Sequence, residues 1–389
     1  MMLWSCILGA SLAAGSDGPP PPPVRVSVDS AHHELTITSG PFDLPNMPPM
    51  DSHAMMDLGM SHDTPIQNFM WPVDGWFRGY RVTLTDAHGQ AVPRHVMHHL
   101  IMVNFSRRQL LYSAAERLMG AGTETDEEVS VPKTIGVPMK PGMRLGMYVA
   151  WHNDTGKDLD DVYLNITMLW TPKNQNPQPV NALPIYMDVN LTAGGSNTFD
   201  VPPGRSTKAY EFTLPVGGRL LGVGGHMHDY GSRVRLEDAA TGKVLTQIVA
   251  ERAPDGKLVK MSRKLFGVSG EGLKLKAGHR YRVVGQYDNP TGVTRVKGAM
   301  AHMVGLFAPD DMKRWPAINP QDSTYQRDLA SLQVRGAGSM SGMHHGHGEE
   351  SGMHNDPNQG QDTHYRWARG RPYWTIRRTP THRLYHHLP

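Results

Sequence analysis

PRHVMHHLIMVN (93–104) and GVGGHMHDYG (222–231) each set a pair of histidines into an apolar stretch, and they lie about a domain's length apart. The spacing of apolar residues around both has the short period of strands, and the same reading extends outward. VRVSV (24–28), HELTITSG (33–40), GWFRGYRVTLTDAHGQ (75–90), MYVAWHND (147–154), DVYLNITMLW (161–170) and KGAMAHMVGLFAP (297–309) all read as strands or strand-and-turn units. Turn signals recur at VPPGRS (201–206), DAATGK (238–243), APDGK (253–257) and KAGHR (276–280), as in a sandwich. With 41 Gly and 31 Pro in 389 residues, the composition also suits a turn-rich β architecture. The expected fold is all-β: two consecutive antiparallel β-sandwich, jelly-roll-like domains with flexible N- and C-terminal tails.

These signals divide the chain. Residues 1–15, an apolar run ending in small residues with Ser11-Leu12-Ala13 as a cleavage site, resemble a truncated secretory signal. Residues 16–70 form a Pro- and Met/His-rich leader that includes the first strands, with five prolines at 19–23. The first sandwich is expected over 71–172 and the second over 185–312, with a polar, Pro-rich linker (171–184) between them. Within the first, SRRQLLYSAAERLMG (106–120) reads as a helix, with Ser106 as N-cap and Gly120 closing it. From 313 the apolar periodicity fades, and 313–389 is read as a low-complexity His/Met-rich and basic tail. Its last 25 residues carry Arg366, Arg369, Arg371, Arg377, Arg378 and Arg383 with no acid among them.

The formal charge of +3 gives no reason to invoke nucleic acid. No stretch after the leader approaches the about 20 apolar residues of a membrane helix. Cys6 is the only cysteine, so the chain is free of internal disulfides. The expected location is exported, periplasmic or extracellular.

Chemistry is concentrated in the histidines. In a strand, alternate residues share a face, so His226 and His228 project together as a ready chelate. Gly224 and Gly225 remove bulk before them, and Gly231 allows a turn after them. His98 and His99 are adjacent and would point to opposite faces of a regular strand. They can serve one metal only at a twist, a bulge or a strand end. His95 shares the nominal face of His99 and is a spare candidate. His152 ends an apolar strand and runs into Asn153-Asp154. In the last strand Met300, His302, Val304 and Leu306 share one face, and Ala301, Met303 and Phe307 share the other. Imidazoles plus a thioether, with no cysteine in reach, suit copper better than zinc.

The order HH, then H at a strand end, then HxHxxG, then a methionine near the end of a second β domain resembles the copper type II, ascorbate-dependent monooxygenases. That family includes peptidylglycine hydroxylase and dopamine β-hydroxylase, and the resemblance covers roughly residues 70–309. It implies two coppers per chain: an electron-transfer copper on His98, His99 and His152, and an oxygen-binding copper on His226, His228 and Met300. Met300, unlike Met303, stands at the family's step before the strand end at Pro309. The resemblance further implies ascorbate as reductant, dioxygen as co-substrate and hydroxylation of a substrate C–H bond. Three features depart from the family: Gly224 stands where peptide-processing members have a carboxylate-binding arginine, Val304 and His302 replace its substrate-holding tyrosine and asparagine, and its disulfides are absent. The substrate, small molecule or peptide, is therefore unidentified.

A second reading is a non-catalytic copper-handling protein of the same fold. It draws on the tracts with Met47, Met50, His53, Met55, Met56, Met60 and His62, and with Met343, His344, His345, His347, Met353 and His354. A third is a β-sandwich binding module with zinc or without metal.

Overall fold

The computed structural model describes residues 23–47, 63–191, 197–266 and 271–333. The signal-like start, most of the first Met/His tract, the second tract and the basic tail lie outside the described residues. Within them the chain is all-β apart from one short α-helix and two 3-10 turns. No helix among the described residues is long and apolar enough to cross a membrane.

The strands fall into two sets. The first comprises β1 (Val24–Asp29), β2 (Glu34–Leu44), β3 (Gln67–Met70), β4 (Gly75–Thr85), β5 (Met97–Arg108) and β6 (Ala115–Gly122). It continues with β7 (Glu128–Ser130), β8 (Ile135–Met139), β9 (Arg144–Trp151), β10 (Leu159–Pro172) and β11 (Val180–Asn181). One sheet runs β1-β2-β10-β4-β8-β11, with β7 on β4; the other runs β3-β9-β5-β6. The two leader strands thus belong to this set: β1 pairs β2, and β2 pairs β10 from Leu44–Leu159 to Glu34–Leu169. Leu35, Ile37, Trp71, Met97, Leu100, Leu145 and Ile166 fill the core between the sheets.

The second set comprises β12 (Leu183–Asp188), β13 (Phe199–Val201), β14 (Gly204–Thr213), β15 (Gly218–Met227), β16 (Gly231–Asp238) and β17 (Val244–Arg252). β18 (Leu258–Met261), β19 (Lys264–Leu265), β20 (Leu273–Leu275), β21 (Arg280–Asn289), β22 (Arg295–Ala299) and β23 (Ala301–Pro309) complete it. Its sheets are β12-β23-β15-β19, with β20 on β15, and β14-β21-β16-β17-β18; β13 and β22 form a separate ribbon. β23 shows the expected alternation, with Ala301, Met303 and Phe307 fully buried in a second core with Leu220, Met227 and Tyr287.

Two expectations are corrected. The segment read as a helix over 106–120 is the end of β5, a turn and β6. Arg107 and Glu116 form a buried two-pronged pair across this hairpin (Nε–Oε2 2.6 Å, Nη2–Oε1 2.8 Å), and Asn104 donates to the same carboxylate at 3.0 Å. Partners nine and twelve residues from Glu116 meet across a hairpin but are out of reach along a helix. Ladder pairing and this buried fork override the local helical pattern. The second correction concerns 313–333, read as the start of a tail.

Residues Ser323–Gln333 form a helix, α1, capped by the Asp322 carboxylate, which accepts the Thr324 and Tyr325 amides. It lies on the outer face of the β3-β9-β5-β6 sheet, where Tyr325 and Leu332 pack with Val103, Ala115 and Tyr148. This cover explains why β9 is apolar almost throughout: Leu145, Met147, Val149 and Trp151 enter the main core while Tyr148 packs under the helix. Asp328 is buried against Arg117 (2.5 Å) and accepts the Ala115 amide at 2.9 Å. The apolar stripe of the helix is interrupted by that aspartate, so its periodicity is weak.

Candidate metal centre

The first histidine cluster is built on an irregularity. Pairing of β5 with β9 runs from Met97–Trp151 directly to His99–Ala150, so His98 is the extra residue of a β-bulge. The bulge relieves the opposite-face problem of the doublet, and the two rings lie 5.2 Å apart between centroids. His152, just after β9, donates its backbone amide to Val96 at 2.8 Å, which draws it back toward the start of β5. Its Nδ1 is buried without a hydrogen-bond partner. His99 Nε2 stands 3.0 Å from Asp63 Oδ1, and Asp63 is itself bridged to Ala150. Burial, with like charge from His99 and His226, pushes His98 down to about 4. The spare candidate His95 is largely exposed and pairs with Asp154 (3.4 Å).

The second cluster follows regular strand geometry. His226 and His228 flank the fully buried Met227, with ring centroids 5.2 Å apart. His302 faces His226 across the β15–β23 ladder, and their rings lie 5.5 Å apart. A side chain at Gly225 would strike the His302 carbonyl, so the close approach of these two strands requires glycine there. The backbone carbonyl of Met300 accepts both the Tyr287 hydroxyl (2.6 Å) and the His228 amide (3.1 Å), which fixes the Met300 main chain beside that of His228. Burial drives His228 well below the ordinary imidazole range and His302 down to about 3. Nδ1 of each is buried and unpartnered.

The two clusters are linked by the loop after β6. Glu124 reaches from the first domain to His226 of the second, Oε1 to Nδ1 at 2.8 Å. Burial would lower the His226 pKa, but the Glu124 carboxylate outweighs it and holds the ring above its usual value. In turn, against its own burial, Glu124 is held down to about 2 by His226. Gly122 makes this reach feasible, because a Cβ there would occupy the space of the Glu124 carboxylate. Arg94 braces the loop through the Thr125 and Gly122 carbonyls at 2.6 and 3.1 Å. Two residues on, Asp126 pairs with Lys260 (2.7 Å) and with Arg263. Arg263 lies over Gly224, with its Cγ 3.4 Å from where a Cβ would stand. The 122–126 loop thus bridges the two domains.

Among the described residues, no three His, Cys, Asp or Glu side chains already surround one point as they would an ion. The donor chemistry nonetheless fits. A metal-binding imidazole commonly gives its second nitrogen to a carboxylate, which fixes tautomer and orientation. Asp63 on His99 and Glu124 on His226 are placed this way, one per cluster, leaving the other ring nitrogen for a ligand. The orphaned nitrogens of His152 and His228 are the kind of buried polar atom that calls for a partner. Sequence reasoning missed Asp63, Glu124, Asp126 and Arg263. The acidic run Glu124-Thr125-Asp126-Glu127-Glu128 is visible in the sequence, but nothing local says what it faces.

No protein-family model matches the chain, and no curated protein does. Among solved structures it is similar to N-glycanase F (8% identity, 70% of this chain and 96% of that chain, TM-score 0.36). It is also similar to the major capsid protein P2 of Bacteriophage PM2 (10% identity, 68% and 97%, TM-score 0.30). A third likeness is to a chain of the Sulfolobus Turreted Icosahedral Virus (10% identity, 78% and 99%, TM-score 0.33).

Proposed function

We propose that this chain is an exported two-copper protein akin to the type II, ascorbate-dependent monooxygenases, hydroxylating a substrate that remains to be identified. The observation that carries this reading is the pairing of each histidine cluster with one orienting carboxylate, Asp63 on His99 and Glu124 on His226. His98, His99 and His152 would hold one copper; His226, His228 and Met300 would hold the other. Bound copper would supply one-electron transfer at the first site and dioxygen activation at the second. A thioether at the second favours the reduced, Cu(I) state. The overall reaction inserts one oxygen atom of O2 into a C–H bond and reduces the other to water, with two electrons from ascorbate.

The chain's own residues orient and exclude. Asp63 and Glu124 fix the rings they hold, and the buried surroundings of His98 and His228 keep those imidazoles neutral and ready to ligate at neutral pH. Arg263, its aliphatic stem over Gly224, gives its guanidinium to Asp126 of the bridging loop. The rival reading, copper handling without catalysis, is favoured by the Met/His tracts and by a third imidazole, His302, beside the second cluster.

Copper stoichiometry on the full chain, with ascorbate-driven oxygen uptake on the same sample, separates the two. His152→Ala and Met300→Ala should each remove one copper, and either should abolish uptake. Copper retained by both variants would sink the ligand assignment. Loss of copper without any ascorbate-dependent uptake, across a panel of peptide and small-molecule substrates, would favour the handling protein.

A further inference from the structure

Behind the second cluster runs a file of aromatic rings that the proposed chemistry does not use. Tyr210 on β14 is 38% exposed. Its ring lies 6.1 Å from that of Tyr112, a buried residue of the β5–β6 turn. Tyr112 lies 6.4 Å from Tyr186 on β12, Tyr186 lies 4.8 Å from His302, and His302 lies 5.5 Å from His226. Every step is within the range of packed rings.

One member also has a proton partner. The Tyr186 hydroxyl donates to Asp188 Oδ2 at 2.6 Å, and the Asn197 amide donates to both groups, at 3.1 and 2.9 Å. Asp188 Oδ1 accepts the Asn190 amide at 2.7 Å. The Asn197 amide alone could partner a buried phenol. A fully buried carboxylate is a costly addition, and it is the one group there able to take the phenol's proton.

We propose that Tyr210, Tyr112, Tyr186 and His302 form a relay that carries one electron between the protein surface and His226. Its inner end rests on the copper reading given above. A one-electron oxidant derived from dioxygen at the His226 end removes an electron from Tyr186, while the phenol O–H bond breaks and its proton passes to Asp188. Tyr186 is restored by an electron from Tyr210, tunnelling by way of the Tyr112 ring, and by return of the proton from Asp188. Tyr210 releases its own phenol proton to water, and ascorbate at the surface returns a hydrogen atom to it. The net result is one electron from ascorbate to the oxidant and one proton to solvent. When oxygen reacts with no substrate bound, the relay drains the oxidant before it attacks Met300, a side chain readily oxidised to the sulfoxide.

Two measurements test this on the full chain. Copper-free protein is mixed with hexachloroiridate(IV), freeze-quenched and examined by high-field EPR. A tyrosyl radical with a hydrogen-bonded phenoxyl oxygen is expected, absent in Tyr186→Phe and several-fold weaker in Tyr210→Phe. Radicals insensitive to Tyr186→Phe would overturn the relay. Copper-loaded protein, its metal content measured, is then given ascorbate and oxygen without substrate, and Met300 sulfoxide is followed by mass spectrometry. Tyr186→Phe should accumulate it several-fold faster; an unchanged rate overturns the protective role. Absence of copper from the site would overturn the reading behind the inner end, while the copper-free measurement still decides the tyrosines.

Discussion

The two histidine clusters are built by opposite structural means. The first depends on a defect: a bulge at His98 gathers neighbours that a regular strand would separate, and its orienting carboxylate, Asp63, comes from the same domain. The second depends on regularity: ordinary alternation aligns His226 with His228, but its carboxylate, Glu124, is supplied by the other domain. The first cluster is thus complete within one sandwich, whereas the second is complete only while the domains touch. Under the copper reading proposed above, metal at the second would depend on contact between the domains, and at the first it would not.

The largest expected effect breaks this symmetry directly. Glu124→Gln should weaken copper at the second cluster by about 10–100-fold and leave the first unchanged, and Asp63→Asn should do the reverse. Titration of copper into each variant checks it; a loss shared equally between clusters would refute separate orienting roles. Gly122→Ala should weaken the second cluster in the same direction as Glu124→Gln, but less strongly, because the displaced carboxylate still has slack in its side chain. Copper titration beside the Glu124 variant ranks the two.

A third effect lies in the acid stability of metal-free protein. His98 at about 4, His302 at about 3 and His228 well below 6.5 bind fewer protons folded than unfolded. Stability should therefore rise with pH between about 4 and 6.5. Asp188, pushed up to about 6 by burial, works in the opposite sense and offsets part of the rise. The thermal midpoint should climb over this range, and His302→Gln should flatten the climb; an unaltered slope would count against the buried, neutral ring. The smallest effect belongs to Asp126→Asn. Its partners are partly exposed, so the loss should stay within about 1 kcal/mol and shrink in high salt, as read from denaturation midpoints at two ionic strengths.

What the sequence made legible was what repeats locally. Alternation identified β5, β9, β15 and β23 and the shared face of His226 and His228, because strand periodicity is written in neighbouring residues. The need for a bulge at His98-His99 was legible too, from the steric conflict of adjacent ligands. What stayed hidden depends on distant partners. The 106–120 segment has helical spacing, and only Glu116 meeting Arg107 and Asn104 across a hairpin reveals a strand. The helix at 323–333 buries an aspartate whose mate, Arg117, lies 211 residues away. Glu124 is 102 residues from His226, and no local pattern encodes that encounter.

The docking of α1 has a further consequence for how the halves are joined. The helix follows the second domain in sequence but folds onto the first, through Asp328 on Ala115 and Arg117. Residues 183–309 are therefore an insertion within a discontinuous first domain, and the chain crosses between the halves twice, at Ala182 after β11 and again near 310–322. The halves are thus joined by two covalent crossings as well as by side-chain packing, with Leu110 of the first domain buried in the second core. A single cut in either crossing leaves the halves held by the other, so a nicked chain can still bring Glu124 onto His226.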